Sequence, residues 1–256
     1  MVDFIWKEKY DFHDLVKIVH LLRSPGGCPW DQVQTHQSIR RNFLEETYEA
    51  CEAIDTDDAA LLCEELGDVL LQVLFHTDIE QDRGRFTLDD VTDGICKKLI
   101  YRHPHVFGST EVCGTEEVLT NWDALKQAEK GQQTQTEVLS AVSRALPALW
   151  RAEKVQKKAE QAGIPAPGRE AVLAQVQTVS ESLQAQAADE AIGALLFAAV
   201  ALCRQTGVDP EKALTATCDN FIQRFAAVEA DAQASHTPLE ELSASKVGKL
   251  WTKYNA

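Results

Sequence analysis

The sequence predicts an all-α protein made of two related helical bundles, and three observations carry that expectation. Apolar residues recur at helical spacing in "LVKIVHLLR" (15–23), "LLCEELGDVLLQVLF" (61–75), "VLSAVSRALPALW" (138–150) and "AIGALLFAAVALC" (191–203). Strand alternation and hairpin turn signals are scarce. "LGDVLLQVLF" (66–75) also finds a partner in "IGALLFAAVA" (192–201) at an offset of 126 residues, with Gly67 matching Gly193.

Taken in order, the first helix covers 15–23 and stops at "SPGGCPW", where Pro and paired glycines break the pattern. "FLEETYEACEAID" (43–55) reads as a second helix, and the short turn "TDDA" returns the chain into a third over 61–75. Leu66, Val69, Leu70, Val73 and Leu74 predict that this third helix is deeply packed. Further breaks fall near "RHPHVFGST" and at "GIPAPGRE", and the polar "EKGQQTQTE" (129–137) reads as a linker. Weaker similarity aligns "KLIYRHPHVF" (98–107) with "NFIQRFAAVE" (220–229), matching Arg102 to Arg224. The expected domains are therefore 1–130 and 131–256.

Composition narrows the function. With 45% hydrophobic and 25% charged residues, a 256-residue chain can bury a core and has no reason to be disordered. A formal charge of −15 argues against nucleic-acid or anionic-membrane partners, which need positive surface facing phosphate. "MVDFIWKEKYDFHDL" lacks a signal-peptide apolar core, and no run of eighteen apolar residues occurs, so a cytoplasmic location is expected. The seven cysteines form no CxxC pair and are odd in number, which predicts reduced, mostly buried thiols.

The glutamates pose the chemical question. Residues three or four apart share a helix face, so Glu46 projects with Glu49, and Glu65 with Asp68. Either these are solvated faces of amphipathic helices, or two antiparallel helices bring four carboxylates together. Uncompensated, the second arrangement costs several kcal/mol per ion by order of magnitude. A divalent cation removes that cost, and an all-oxygen set selects hard ions such as Mg²⁺ or Mn²⁺. A di-iron site would need Glu-x-x-His on two helices. Val73 stands three residues before His76, so that motif is absent there.

"GCPWDQVQTHQSI", "LEETYEACEAI", "EELGDVLLQVLFH" and "KLIYRHPHVFG" together resemble the MazG family of nucleoside triphosphate pyrophosphohydrolases, and the tandem repeat resembles its two-domain members. The resemblance implies an α-helical, usually homodimeric enzyme that splits a nucleoside triphosphate into monophosphate and pyrophosphate. It places the family's EExxE element on Glu45, Glu46 and Glu49, and its ExxD element on Glu65 and Asp68. Glu46, Glu49, Glu65 and Asp68 would then be Mg²⁺ ligands. Glu45 would orient or deprotonate the attacking water, or else act as a supporting or surface residue. Lys98 and Arg102, in "KKLIYRHPH", would hold the β and γ phosphates, with Lys97 as a further substrate-binding residue. His103 and His105 shape a turn on this reading. Trp30 either contacts the base or plugs the core.

The second repeat departs from the pattern. Thr178, Val179 and Ser182 stand where EExxE is expected, Ala191 and Ala194 replace the acids of ExxD, and Asn220 replaces Lys98. This half reads as a degenerate unit kept for packing, dimerisation or regulation. Two function classes follow: a Mg²⁺-dependent pyrophosphohydrolase run by the first repeat, or a non-catalytic nucleotide-binding regulatory or scaffolding protein.

Overall fold

The structure, a computed structural model, describes residues 4–182, 188–235 and 237–254, the side chains of 180–182 and 188 excepted. Thirteen α-helices and one 3₁₀ turn make up its regular structure, and no strand occurs among the described residues. The all-α expectation holds. The chain divides between Lys126 and Gln127 into two compact units.

In the first unit, α1 (Phe12–Arg23) starts at a capping box in which Asp11 and Asp14 exchange backbone hydrogen bonds of 3.0 Å. The break at 24–28 then folds back on its last turn. The Cys28 amide donates to Leu22 O at 2.8 Å. A Cβ at Gly27 would lie 2.2 Å from Leu21 O and 2.4 Å from Leu22 O, so only glycine fits there. A short α2 (Pro29–Gln32) leads to α3 (Arg40–Asp55), then a three-residue turn, then α4 (Ala59–Asp82). Asp57 takes the left-handed conformation (φ 55°), and the Asp58 carboxylate accepts from the amides of Ala60 and Leu61, both at 3.0 Å. Reversal and capping together make α3 and α4 a tight helical hairpin. Beyond it lie α5 (Leu88–Arg102), α6 (Pro104–Phe107) and α7 (Thr115–Glu129).

Val19, Ile39, Leu74, Phe75 and Ile79 form the core of this unit, flanked by Leu15, Val16, Leu70, Leu71 and Leu88. Burying side chains of this size contributes roughly 1.5–3 kcal/mol each. The core engages the C-terminal half of α4, where α1 packs. The N-terminal half faces α3 instead, and here the expectation of deep packing fails at Leu66, which is 54% exposed. Leu44, Tyr48 and Ile54 on α3 are exposed too, so the hairpin keeps an apolar face that no described element of its unit covers.

The second unit contains α8 (Gln135–Ser140), α9 (Ala148–Gln161), α10 (Arg169–Ser182), α11 (Ala188–Thr206), α12 (Pro210–Ala234) and α13 (Ala244–Lys253). Its plan repeats that of the first: α10 pairs with α11 as α3 does with α4, and α9 packs on α11 as α1 does on α4. Its core of Val172, Ala198 and Ala201 is thinner, since Ala201 stands where the offset of 126 residues places Phe75 in the first unit.

Two further expectations are corrected. The helix read over 138–150 is two helices separated by residues 141–147. Pro147 cannot donate into a helix and disfavours helical geometry in the residue before it. The periodicity persisted because Val138, in α8, and Val142, inside the break, are both buried. All seven cysteines are free, but they are not mostly buried. Cys51, Cys63, Cys96, Cys113 and Cys218 are exposed, lying off the narrow faces that each core occupies.

Candidate metal centre

The α3–α4 hairpin positions the acids. Glu46 and Glu49 lie one turn apart on α3, and Glu65 faces them from α4. One carboxylate oxygen from each of the three lies within 4.8 Å of the others. Glu46 is half-buried, Glu49 is exposed, and Glu65 keeps only 9% of its surface exposed. Asp68, half-buried one turn beyond Glu65, lies outside that triad, but its charge acts on both Glu46 and Glu65.

Burial holds the Glu46 carboxyl above the usual carboxylate range. The charges of Asp68, Glu49 and Glu65 push it the same way, and so does a hydrogen bond with Glu49. Burial also raises Glu65, followed by the charges of Glu49, Asp68 and Glu64. The charges that act on the two carboxyls among the described residues are those of other acids. The donor set fits a hard divalent cation: it is all carboxylate oxygen, spans two helices, and two of its members resist ionising without a counter-charge.

The triad does not include the other residues singled out from the sequence. Glu45, on the next position of α3, is ion-paired with Arg41 at 2.7 Å. Trp30 is 58% exposed on α2. Lys97 pairs with Asp93 at 2.5 Å, a hydrogen bond that raises its pKa, while Lys98 is exposed. Arg102 is buried, its guanidinium 5.4 Å from the centre of the Trp122 ring. His103 closes α5, its Nδ1 lying 2.6 Å from Leu99 O.

Sequence reasoning missed a polar network on the C-terminal half of α4. His36 and His76 face each other there, His36 also meets Glu80, and Asp78 holds both His20 and Arg23. Both histidines stood in recognisable motifs. Their partnership spans forty residues, and nothing local in the chain announces it.

Regular structure that is wholly helical among the described residues, with a cluster of carboxylates across a helical hairpin, defines the class. Residues 34–107, which hold that hairpin and α5, match the family described as the MazG nucleotide pyrophosphohydrolase domain. Over 246 residues the chain is 38% identical to the nucleoside triphosphate pyrophosphohydrolase/pyrophosphatase MazG of Thermotoga maritima, covering 94% of both chains. It is 36% identical over 247 residues to the nucleoside triphosphate pyrophosphohydrolase of Escherichia coli K12, covering 93% of this chain and 94% of that one. It is also 40% identical over 252 residues to the uncharacterized protein YabN of Bacillus subtilis, and there it spans only 51% of the longer protein. The chain belongs to the MazG nucleotide pyrophosphohydrolase family. Among the described residues, no single helix is long and apolar enough to cross a membrane.

Proposed function

We propose that the chain hydrolyses nucleoside triphosphates to nucleoside monophosphate and pyrophosphate at the carboxylates of the α3–α4 hairpin, in the cytoplasm and as a homodimer. The convergence of Glu46, Glu49 and Glu65, within the residues that match the family, carries this reading. Glu46, Glu49, Glu65 and Asp68 hold Mg²⁺, or Mn²⁺ in its place. Such a cation neutralises phosphate charge, polarises phosphorus and acidifies water. Glu45 leaves Arg41 to orient the attacking water. Lys98 and Lys97 serve as point charges and Arg102 as a planar fork toward the β and γ phosphates, and the exposed Trp30 ring stacks on the base. The second unit, with Ala191 and Ala194 in place of Glu65 and Asp68, supplies packing and regulation rather than a second centre. The uncovered apolar residues of the hairpin supply the dimer contact.

The deciding experiment measures pyrophosphate released from a panel of nucleoside triphosphates with Mg²⁺ and again after chelation. Monophosphate and pyrophosphate, lost on chelation, are expected. Diphosphate with orthophosphate would overturn the scissile bond. Nucleotide binding without turnover would favour the scaffolding alternative.

A further inference from the structure

The hairpin that carries the acids is fastened at two ends, with the acids between them. At the closed end, the turn through Asp57 and Asp58 joins α3 to α4. At the open end the fastening is made by side chains. The rings of His36, just before α3, and His76 on α4 lie 5.0 Å apart and 19° from parallel, with Nδ1 facing Nδ1 at 2.7 Å. Phe43, one turn before Glu46, packs on the His76 ring at 5.6 Å. The other ring nitrogen of His36 meets Glu80, a buried carboxylate that Arg83 and Arg85 also hold, at 3.1 and 2.7 Å.

Between the two ends, like-charged carboxylates push α3 and α4 apart. We propose that His36 and His76, sharing one proton between their facing Nδ1 atoms, are positioning residues for the carboxylate cluster, setting the spacing at which Glu46 and Glu49 of α3 meet Glu65 and Asp68 of α4. This rests on reading the cluster as a cation site.

The proton count follows from the partners. The ionised Glu80 carboxylate only accepts, so Nε2 of His36 carries a hydrogen. The Nδ1 contact then holds with a single hydrogen, supplied by either ring. Charging both rings sets two N–H groups face to face, and Arg83 and Arg85 nearby add to the opposition. Also at this end of α4, Asp78 holds His20 and Arg23 of α1 at 2.9 and 2.7 Å, with Arg23 also on Asp82. Burial, and then the charge of His36, hold His76 below the ordinary histidine value. The linkage sign is therefore fixed. A depressed histidine favours the closed arrangement above the ordinary value of about 6.5, and that advantage is lost as pH falls below it.

The test is calorimetric titration of the full chain with Mn²⁺ at about pH 8 and about pH 6, values that bracket the histidine range. His76→Phe keeps the ring packing and loses the shared proton, and it should weaken Mn²⁺ binding about tenfold even at the higher pH, the usual effect of removing a supporting partner. His76→Gln keeps a hydrogen bond without a titrating ring. It should bind nearly as wild type at the higher pH and lose less affinity than wild type on acidification. If His76→Phe binds within about twofold of wild type, or if His76→Gln shows the wild-type pH profile, the proposal is overturned. Should His76→Phe fail to fold by circular dichroism, the pH profile of His76→Gln decides. Wild-type chain that takes up no Mn²⁺, or Glu65→Gln chain that takes it up as tightly, overturns the underlying cation site, and the positioning role falls with it.

Discussion

Glu65 is the acid on which the geometry converges: it is largely buried, faces α3, and is pushed toward protonation by burial and three acidic neighbours. A carboxyl held above its usual pKa ionises less readily in the fold than in the unfolded chain. The cation-free protein is thus strained at neutral pH and gains stability as pH falls through the raised values of Glu46 and Glu65. Glu65→Gln should therefore melt higher than wild type in chelator at neutral pH and lose the stabilisation that Mg²⁺ gives wild type. Its turnover should drop about 100- to 1000-fold, as when one electrostatic element of a reaction site is removed. Thermal melts with and without Mg²⁺, beside a pyrophosphate assay, read all three outcomes, and turnover above about a tenth of wild type would move catalysis elsewhere. Spacing along a helix put Glu46 beside Glu49 on paper, because three residues make nearly one turn. It could not reveal that Arg102 is buried against Trp122, or that Glu45 is engaged by Arg41, since such pairings depend on how side chains settle in space.

The hairpin and the loop that precedes it show what each element demands. Helical periodicity made α1, α3, α4 and α11 legible, and "TDDA" announced the reversal between α3 and α4. The break inside 138–150 was not legible, because buried Val142 continues the apolar rhythm of Val138 into it. Gly27 gives a sharper test of local geometry. The backbone returns so closely over the end of α1 that a methyl group there would overlap two carbonyl oxygens, which are backbone and cannot swing aside. Gly27→Ala should cost about 3 kcal/mol, the upper part of the usual single-substitution range, measured by urea unfolding. A cost below about 0.5 kcal/mol, ordinary for a surface change, would mean that the loop relaxes freely.

Across the whole molecule, exposed apolar residues and the two repeats raise separate questions. Leu66, Leu44 and Tyr48 stay open to solvent on the very hairpin that carries the acids, a larger apolar display than an isolated bundle favours. Leu66→Lys should shift the chain from dimer to monomer in sedimentation at micromolar concentration, and a wild-type chain that is already monomeric would defeat the dimer reading. The repeats supply the comparison that isolates the working half. The α10–α11 hairpin reproduces the pairing of α3 with α4, so the second unit kept the scaffold while alanines took the places of Glu65 and Asp68. An alanine offers no oxygen to a cation, so Ala194→Ser should leave turnover within about twofold of wild type, whereas Asp68→Asn at the equivalent place in the first unit should lower it about 100-fold. Both variants must be full-length and shown folded by circular dichroism, because deleting residues 127–256 would confound a lost site with newly exposed surface. Equal losses at the two positions would place part of the chemistry in the second unit.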